Sequence, residues 1–556
     1  MGDVDTKKRL QKRLEELRQE RQPWVEHWRD LVENVRPRTS RFLVTDAASA
    51  GLKKHGNIIN GGPTVAARTL QGGMMAGITS PSRPWFRLGT PDASLSEVAS
   101  VRTWLDDVEK EIRETLAKSN LYNGLHVLYG DLLLPGTAAI YIEEDLKRGI
   151  LATVFPVGSY YAANGPDGRV DTVYRAFTMS TSNVVRKFSL AKCSASVQRL
   201  WSNGTREMAV QVAHAVEPRD IVTGELGAEG KPWASFWWEV DSGDDVGLLE
   251  ESGYYENPCM VPRWTVTGED VYGSSPGMDA LGDCRALQHA EKRKAELIDK
   301  LTRPPMKGPS SLMNRKASIL PGSMTYVDAL GQGSTFSPAM EVNPAALTAI
   351  REEIAVLSRR VDQAFFADLW LLLSQSDGTM TAREVMERRE EKLLQLGPVL
   401  ERLNHELLDP LIDRIFGILL RRGQLPPPPE ELAGQPLKVE YISIMAQAQK
   451  LLGTTQVERL VGFVTQTAQV TGPAILDKLD VDQVVDEYAQ MLGVPPALVR
   501  SDDDVAKVRQ QRGKAQQQQA QLEQAQAAVA AAKTASETDT SGDNALTEML
   551  KGMGAR

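Results

Sequence analysis

The sequence predicts an α+β fold, predominantly α-helical, in a chain that packs against copies of itself. Three observations carry that expectation. Apolar residues recur at helical spacing near the N-terminus and again from Ser275 onward. Between those regions, short β-rich runs alternate with Gly, Asn and Pro turns. After Ser275, two long helices each carry an apolar stripe too narrow to stand in water as a lone hairpin.

Leu10, Leu14, Leu17, Trp24, Trp28, Leu31 and Val35 step by three, four or seven residues, the period of a helix face. Pro23 is expected to start a second helix there, and Arg36-Pro37 to end it. Ala66, Ala67, Leu70, Met74 and Met75 predict a further helix, with Gly72 and Gly73 allowing close packing. The turn from Thr79 to Phe86 should dock Trp85 and Phe86. Val101 to Lys118 reads as a charged amphipathic helix, and Tyr122 to Leu134 as another. The β-rich runs follow at Ala138–Ile142, Val170–Phe177, Ser235–Val240 and Val261–Val266.

Ser275-Pro276 is an N-cap followed by a proline suited to the first helical position. The helix it opens should run to Thr302, about 40 Å at 1.5 Å per residue. Its apolar face is thin (Leu281, Cys284, Leu287, Ala290, Ile298, Leu301) and the rest is charged. An irregular insert follows, and Asn343-Pro344 then caps a second long helix of about 33 Å. That helix shows Leu347, Ile350, Ile354, Leu357, Val361 and Phe365 in a near-heptad stripe. From Ala367 to Met380 the pattern reads as a loop, apolar at its start and polar at its end. Thr381-Ala382-Arg383-Glu384 is a capping box for a helix to Gly423, kinked at Gly397-Pro398 and Asp409-Pro410. Four prolines, Pro426 to Pro429, end it. Ala446 to Arg500 reads as a small helical domain. The Gln/Ala-rich stretch beyond Ser501 has too few large apolar groups to build a core, and the last segment has a disordered composition.

Composition excludes several classes. The 556 residues are enough for three or four domains, and 42% are hydrophobic, so a core can form. No apolar run is long enough to span a membrane, and the charged N-terminus lacks a secretory signal. Cys193, Cys259 and Cys284 form no CxxC and no metal spacing, and read as reduced thiols of a cytoplasmic setting. The net charge of −9 argues against a protein that grips DNA, because tight binders are basic.

Enzyme motifs fare poorly. Gly273-Ser274-Ser275-Pro276-Gly277 formally matches a hydrolase nucleophile elbow, but a helix cap explains it equally well. There is no phosphate-binding loop and no H-E-x-x-H metal motif, since His405-Glu406 lacks the second histidine. No cofactor is expected.

Several segments, in order, resemble the head-to-tail connecting proteins of short-tailed phages, the podovirus portals. They include Trp24-x-x-x-Trp28 ending at Pro37, the run from Leu70 to Phe86, and Trp104-Leu105 leading to Ser119-Asn120-Leu121-Tyr122. Gly136-Thr137-Ala138 and Tyr272-Gly273-Ser274-Ser275-Pro276 also match. The most specific are Met380-Thr381-Ala382-Arg383-Glu384-Val385, Leu396-Gly397-Pro398-Val399 and Glu406-Leu407-Leu408-x-Pro410-Leu411-Ile412. The resemblance implies a portal fold that forms a ring, a dodecamer, around double-stranded DNA held non-specifically in a channel.

On that resemblance, residues 1–275 are the wing, 276–302 and 344–366 the two stem helices, and 303–343 the clip. Residues 367–380 are the tunnel loop, 381–425 a long kinked wing helix, 426–500 the crown, and 501–556 a barrel-like or disordered tail. The tunnel loop would present Asp368, Leu369, Trp370, Leu371, Ser374, Gln375, Ser376 and Asp377 to DNA. Stem residues for the lumen or for neighbouring subunits are Lys292, Arg293, Lys300, Arg351 and Arg359, and clip residues are Arg303, Lys307, Arg315 and Lys316. Implied partners are the terminase large subunit, the major capsid and scaffold proteins, and the tail adaptor and nozzle proteins, with no membrane. The place is the virion's portal vertex, after assembly in the host cytoplasm. The competing readings are a capsid or scaffold component without a channel and, further off, a serine hydrolase.

Overall fold

The computed structural model describes residues 3–39, 58–92, 95, 98–220, 222, 227–243, 246–307, 337–338, 343, 345–374, 396–432, 438–441, 457–468, 478–492 and 502–537. It divides into two units, Met1–Pro91 with Thr103–Gln449, and Asp92–Arg102 with Lys450–Arg556.

In the first unit, α1 (Asp3–Val35) is a single helix that continues through Pro23, so the expected restart there is corrected. The reason is tertiary. Leu10 and Leu17 pack with Tyr161, Tyr174 and Trp238, while Val25, Trp28 and Leu31 pack with Tyr141, Phe155 and Tyr160. Between these two contacts, buried Arg21 donates to the carbonyls of Gly158 (2.8 Å) and Tyr160 (2.6 Å), pinning the helix on both sides of the proline. At its start, buried Lys7 donates to Ser242 Oγ (2.7 Å) and to the carbonyls of Gly243 and Val246 (3.0 Å each).

Next come α2 (Gly62–Gly77), β1 (Phe86–Gly89), α3 (Ala99–Lys118) and α4 (Leu121–Leu133). Trp85 and Phe86 are buried edge to face, as the preceding turn predicts. On α3, Val108, Ile112 and Leu116 repeat every four residues and are fully buried.

The β region is antiparallel throughout. Strands β2 (Ala139–Asp145) and β3 (Gly149–Phe155) pair, and β9 (Cys259–Met260) joins the other edge of β2. Strands β4 (Tyr160–Asn164), β5 (Val170–Ser180), β6 (Ala209–Pro218), β7 (Trp233–Glu239) and β8 (Glu250–Tyr254) form a five-stranded meander in sequence order. Two short helices, α5 (Thr181–Phe188) and α6 (Ala195–Ser202), fill the β5–β6 connection, each with a serine accepting from an amide at its N-terminus. The expected strand at 261–266 is corrected. Pro262 has no amide to offer a ladder, and only the isolated bridges Thr137↔Arg263 and Thr265↔Ser274 form.

The chain then enters α7 (Pro276–Thr302), β10 (Met306–Lys307), β11 (Ser337–Pro338), α8 (Ala345–Ala364) and α9 (Ala367–Ser374). Residues 396–403 are helical, Asn404–Leu408 form a π turn, and α10 (Asp409–Arg421) completes the helix. Pro410 removes the amide that would close an α turn on the carbonyl of residue 406, which accounts for the irregularity at that point. Gly423 (φ 63°) terminates the run. Strand β12 (Lys438–Tyr441) pairs with β1, Phe86 opposite Tyr441.

The second unit contains α11 (457–468), α12 (Val481–Leu492) and α13 (Asp502–Glu537). Arg509 grips Asp482 through both guanidinium nitrogens, 2.6 and 2.8 Å. Where its side chains are described, α13 is exposed or partly exposed all round, as a stretch with no apolar stripe must be.

Candidate functional site

The candidate site is the hairpin of α7 and α8 with the segments at its ends. An early residue of α7, Asp283, pairs with a late residue of α8, Arg360 (3.7 Å), so the helices run antiparallel. At the far end, β10 pairs with β11 (Met306 opposite Pro338, Lys307 opposite Ser337) and closes the insert on itself.

The base of the hairpin is built into the core. Ser275 caps α7 by accepting from the Met278 amide (3.1 Å), and its own hydroxyl donates to the Leu134 carbonyl. Ala280, Leu281, Cys284, Leu287 and Gln288 are buried on α7, as are Leu357 and Val361 on α8 and Phe365 beyond it. Gln288 Oε1 accepts from the amides of Ile59 (2.7 Å) and Asn60 (2.8 Å), and its Nε2 donates to the Asn60 carbonyl (2.8 Å). That bracket joins α7 to the residues that start α2. Arg285 is paired with Asp30 of α1. Burial pushes the Cys284 thiol up to about 12, so it stays a neutral core group at physiological pH.

A second anchor lies beside the start of α7. Arg263 and Glu406 are both buried, 2.7 Å apart. Glu406, on the π turn, also accepts from the Arg263 amide (2.9 Å) and from Arg402 (3.1 Å). Arg263 donates further to Asn164 Oδ1 (3.2 Å) and to the carbonyls of Asp270 (3.1 Å) and Gly168 (2.8 Å). Such a pair is tolerated in a core because nearly every donor and lone pair has a partner. Sequence reading found the irregularity at Pro410 but nothing that links Glu406 to a residue 143 positions away.

The far half of the hairpin is different. Lys292, Arg293 and Lys300 on α7 and Arg351 and Arg359 on α8 are all exposed in the subunit. Ile298 keeps 39% of its surface exposed. Of the four clip residues, Arg303 caps the end of α7 and Lys307 lies on β10, both exposed, while Arg315 and Lys316 lie outside the described residues.

The reading of 367–380 as a loop from its first residue is corrected. Phe366 turns the chain at φ 50° and α9 follows as a helix. Leu369 and Trp370 are buried within the subunit. The physical reason lies on α2, where Gly73 and Gly77 have no side chains and the Trp370 ring occupies the space. Asp368 is half-buried; nearby, burial raises the Asp362 carboxyl, and the charge of Asp368 adds to the effect. Leu371 and Ser374 belong to α9, and Gln375, Ser376 and Asp377 lie outside the described residues.

The hydrolase reading of Ser275 is also corrected. The side chain is 1% exposed and its hydroxyl is committed at once to a carbonyl and a capped amide, so no nucleophile is presented.

The subunit thus buries the root of a long hairpin and leaves its far half exposed. Its sequence is 45% identical over 554 residues to the portal protein of Salmonella phage epsilon15, covering 99% of each chain. It is 42% identical over 553 residues to the probable portal protein of Bordetella phage BPP-1, again covering 99% of each. The profile described as bacteriophage head to tail connecting protein matches residues 7–499, and the chain belongs to that family. It is therefore a portal connector subunit of a phage virion, a structural component rather than an enzyme.

Among solved structures, the neck of an empty GTA particle aligns at a TM-score of 0.32 and 12% identity, covering 71% of this chain and 85% of that one. The virion of a native gene transfer agent particle aligns at 0.28 and 13%, covering 71% and 94%.

Proposed function

We propose that copies of this subunit close into a ring, a dodecamer, around double-stranded DNA at one capsid vertex, and that the genome is packaged and ejected through it. The observation that carries this reading is the half-anchored hairpin. Its base is fixed in the wing, while its far half offers neighbouring copies a charged surface and a thin apolar stripe. In this reading α7 and α8 are the stem, the insert between Thr302 and Ala345 is the clip, and residues 1–275 are the wing. The DNA-facing part of 367–380 is the stretch after α9. Residues 426–500 are the crown and 501–556 the tail. The clip meets the terminase large subunit first and the tail adaptor and nozzle proteins later, the outer surface meets the capsid and scaffold proteins, and assembly takes place in the host cytoplasm.

The charge suits a conduit. Salt dependence of DNA binding rises by about 0.9 per phosphate neutralised, and a ring multiplies every cation contact by its copy number. A net charge of −9 per subunit, with stem cations interspersed among Glu291, Glu296, Glu352 and Glu353, lets the duplex slide rather than stick. Electron microscopy of the purified protein tests the proposal directly. Annular particles with a central hole are expected, whereas closed shells or a single-copy species at high concentration would refute it. Deleting Ser374 to Gly378 should leave rings intact but lower the DNA retained in particles. If the deletion prevents folding, that stretch is structural instead.

A further inference from the structure

Residues 72 and 73 are both glycine and sit side by side on α2, yet their surroundings are opposite. Among the described residues, a Cβ at Gly72 would meet nothing within 4 Å, whereas one at Gly73 would lie inside the Trp370 ring. One turn further on, a Cβ at Gly77 would come 2.7 Å from Trp370 Cη2. Gly73 and Gly77 therefore form a notch and Trp370 is its key. The fit is steric, since the indole Nε1 is buried without a hydrogen-bond partner among the described residues. The other end of α2 is bracketed to the stem base through Asn60 and Gln288.

We infer that Trp370, seated in the Gly73–Gly77 notch, is a positioning residue for the connector: it fixes the exit from the stem by making α9, α2 and the base of α7 one rigid body. Phe366 sets the sharp turn out of α8, but a turn alone leaves a short helix free to pivot. Burying a large ring between two glycines removes that freedom, because a densely packed contact has one geometry rather than a continuum. The consequence for DNA rests on the proposed placement of the stretch after α9 in the channel.

The adjacent glycines supply the experiment. Alanine at either position gains helix propensity. In assembled full-length protein, Gly72→Ala should leave amide hydrogen exchange of 367–374 unchanged. Gly73→Ala should speed it by about tenfold or more, while the buried part of α7 stays protected. The double variant Gly73→Ala with Trp370→Leu should recover part of that protection, since the smaller side chain makes room for the methyl. A merely destabilised fold would show no such rescue. If Gly73→Ala is insoluble, Trp370→Leu alone should speed exchange of 367–374 against wild type. Equal exchange in the two alanine variants, or no rescue, overturns the inference. DNA retention in particles is read separately. Faster exchange with unchanged retention keeps the notch and overturns the channel placement of the segment that follows.

Discussion

From Ala280 to Gln288, α7 turns a buried residue inward at almost every step of three or four; from His289 to Thr302, the same helix has none. On α8 the contrast is repeated in reverse, with Leu357 and Val361 buried and nothing before them. Composition does not explain the difference, because Ile298 and Leu301 continue the apolar spacing of Leu287. The near half is stabilised by its own chain, through α1, α2 and the Gln288 bracket, whereas the far half is exposed in the subunit and, in the proposed ring, faces neighbouring copies. On the proposed ring, a subunit folds first and assembles second, with the two processes placed at opposite ends of one hairpin.

That contrast can be broken or sharpened by substitution. The largest effect is expected at the root. Phe365→Ala should cost about 3–5 kcal/mol in the subunit, read as a lowered thermal midpoint, because it opens a cavity in a fully buried site.

The pH dependence of the anchored unit comes next. Asp131 on α4 is buried and its carboxyl is raised to about 7, first by desolvation, against the opposing pull of Arg36 and the Val157 amide. The folded state then holds a proton that the unfolded chain has lost above its ordinary carboxylate range. Stability should fall as pH rises from about 4 to 7 and level off above that. Asp131→Asn should abolish this slope and raise the unfolding free energy at pH 8, by an amount on the order of a few kcal/mol. An unchanged slope would mean that the carboxylate is satisfied in its charged form.

Gln288→Ala should cost about 1–3 kcal/mol, since it strips the acceptor from two backbone amides, and hydrogen exchange at residues 59 and 60 should rise with it. The smallest effect on the subunit, within about 0.5 kcal/mol, is expected for Ile298→Ser. If the proposed ring forms through this half, sedimentation should nonetheless show fewer assembled particles. A large loss of subunit stability from that change would erase the distinction between the two halves.

Much of this arrangement was legible in the sequence. The Ser275-Pro276 start, the end at Thr302 and the stripe ending in Phe365 all follow from capping and period. These are local signals, and local physics decides them. The misreadings share another cause. Pro23 lies inside α1 because Arg21 and the flanking aromatics hold both sides to the sheet. Trp370 is core rather than loop because of glycines almost three hundred positions earlier in the chain. The partners of Glu406 and of β12 are likewise distant. Period and propensity carry no information about which distant surface will lack a side chain or offer a guanidinium.

The two-residue ladder of Met306 and Lys307 with Ser337 and Pro338 has one more consequence. It brings the exit and re-entry points of the insert side by side, so the hairpin senses only that closure and not the length of chain between. Because loop-closure entropy grows slowly with length, roughly 0.6 kcal/mol per doubling, the intervening stretch can be exchanged like a cassette. On the proposed clip assignment, that end can be refitted to a new docking partner while the helices beneath it stay untouched.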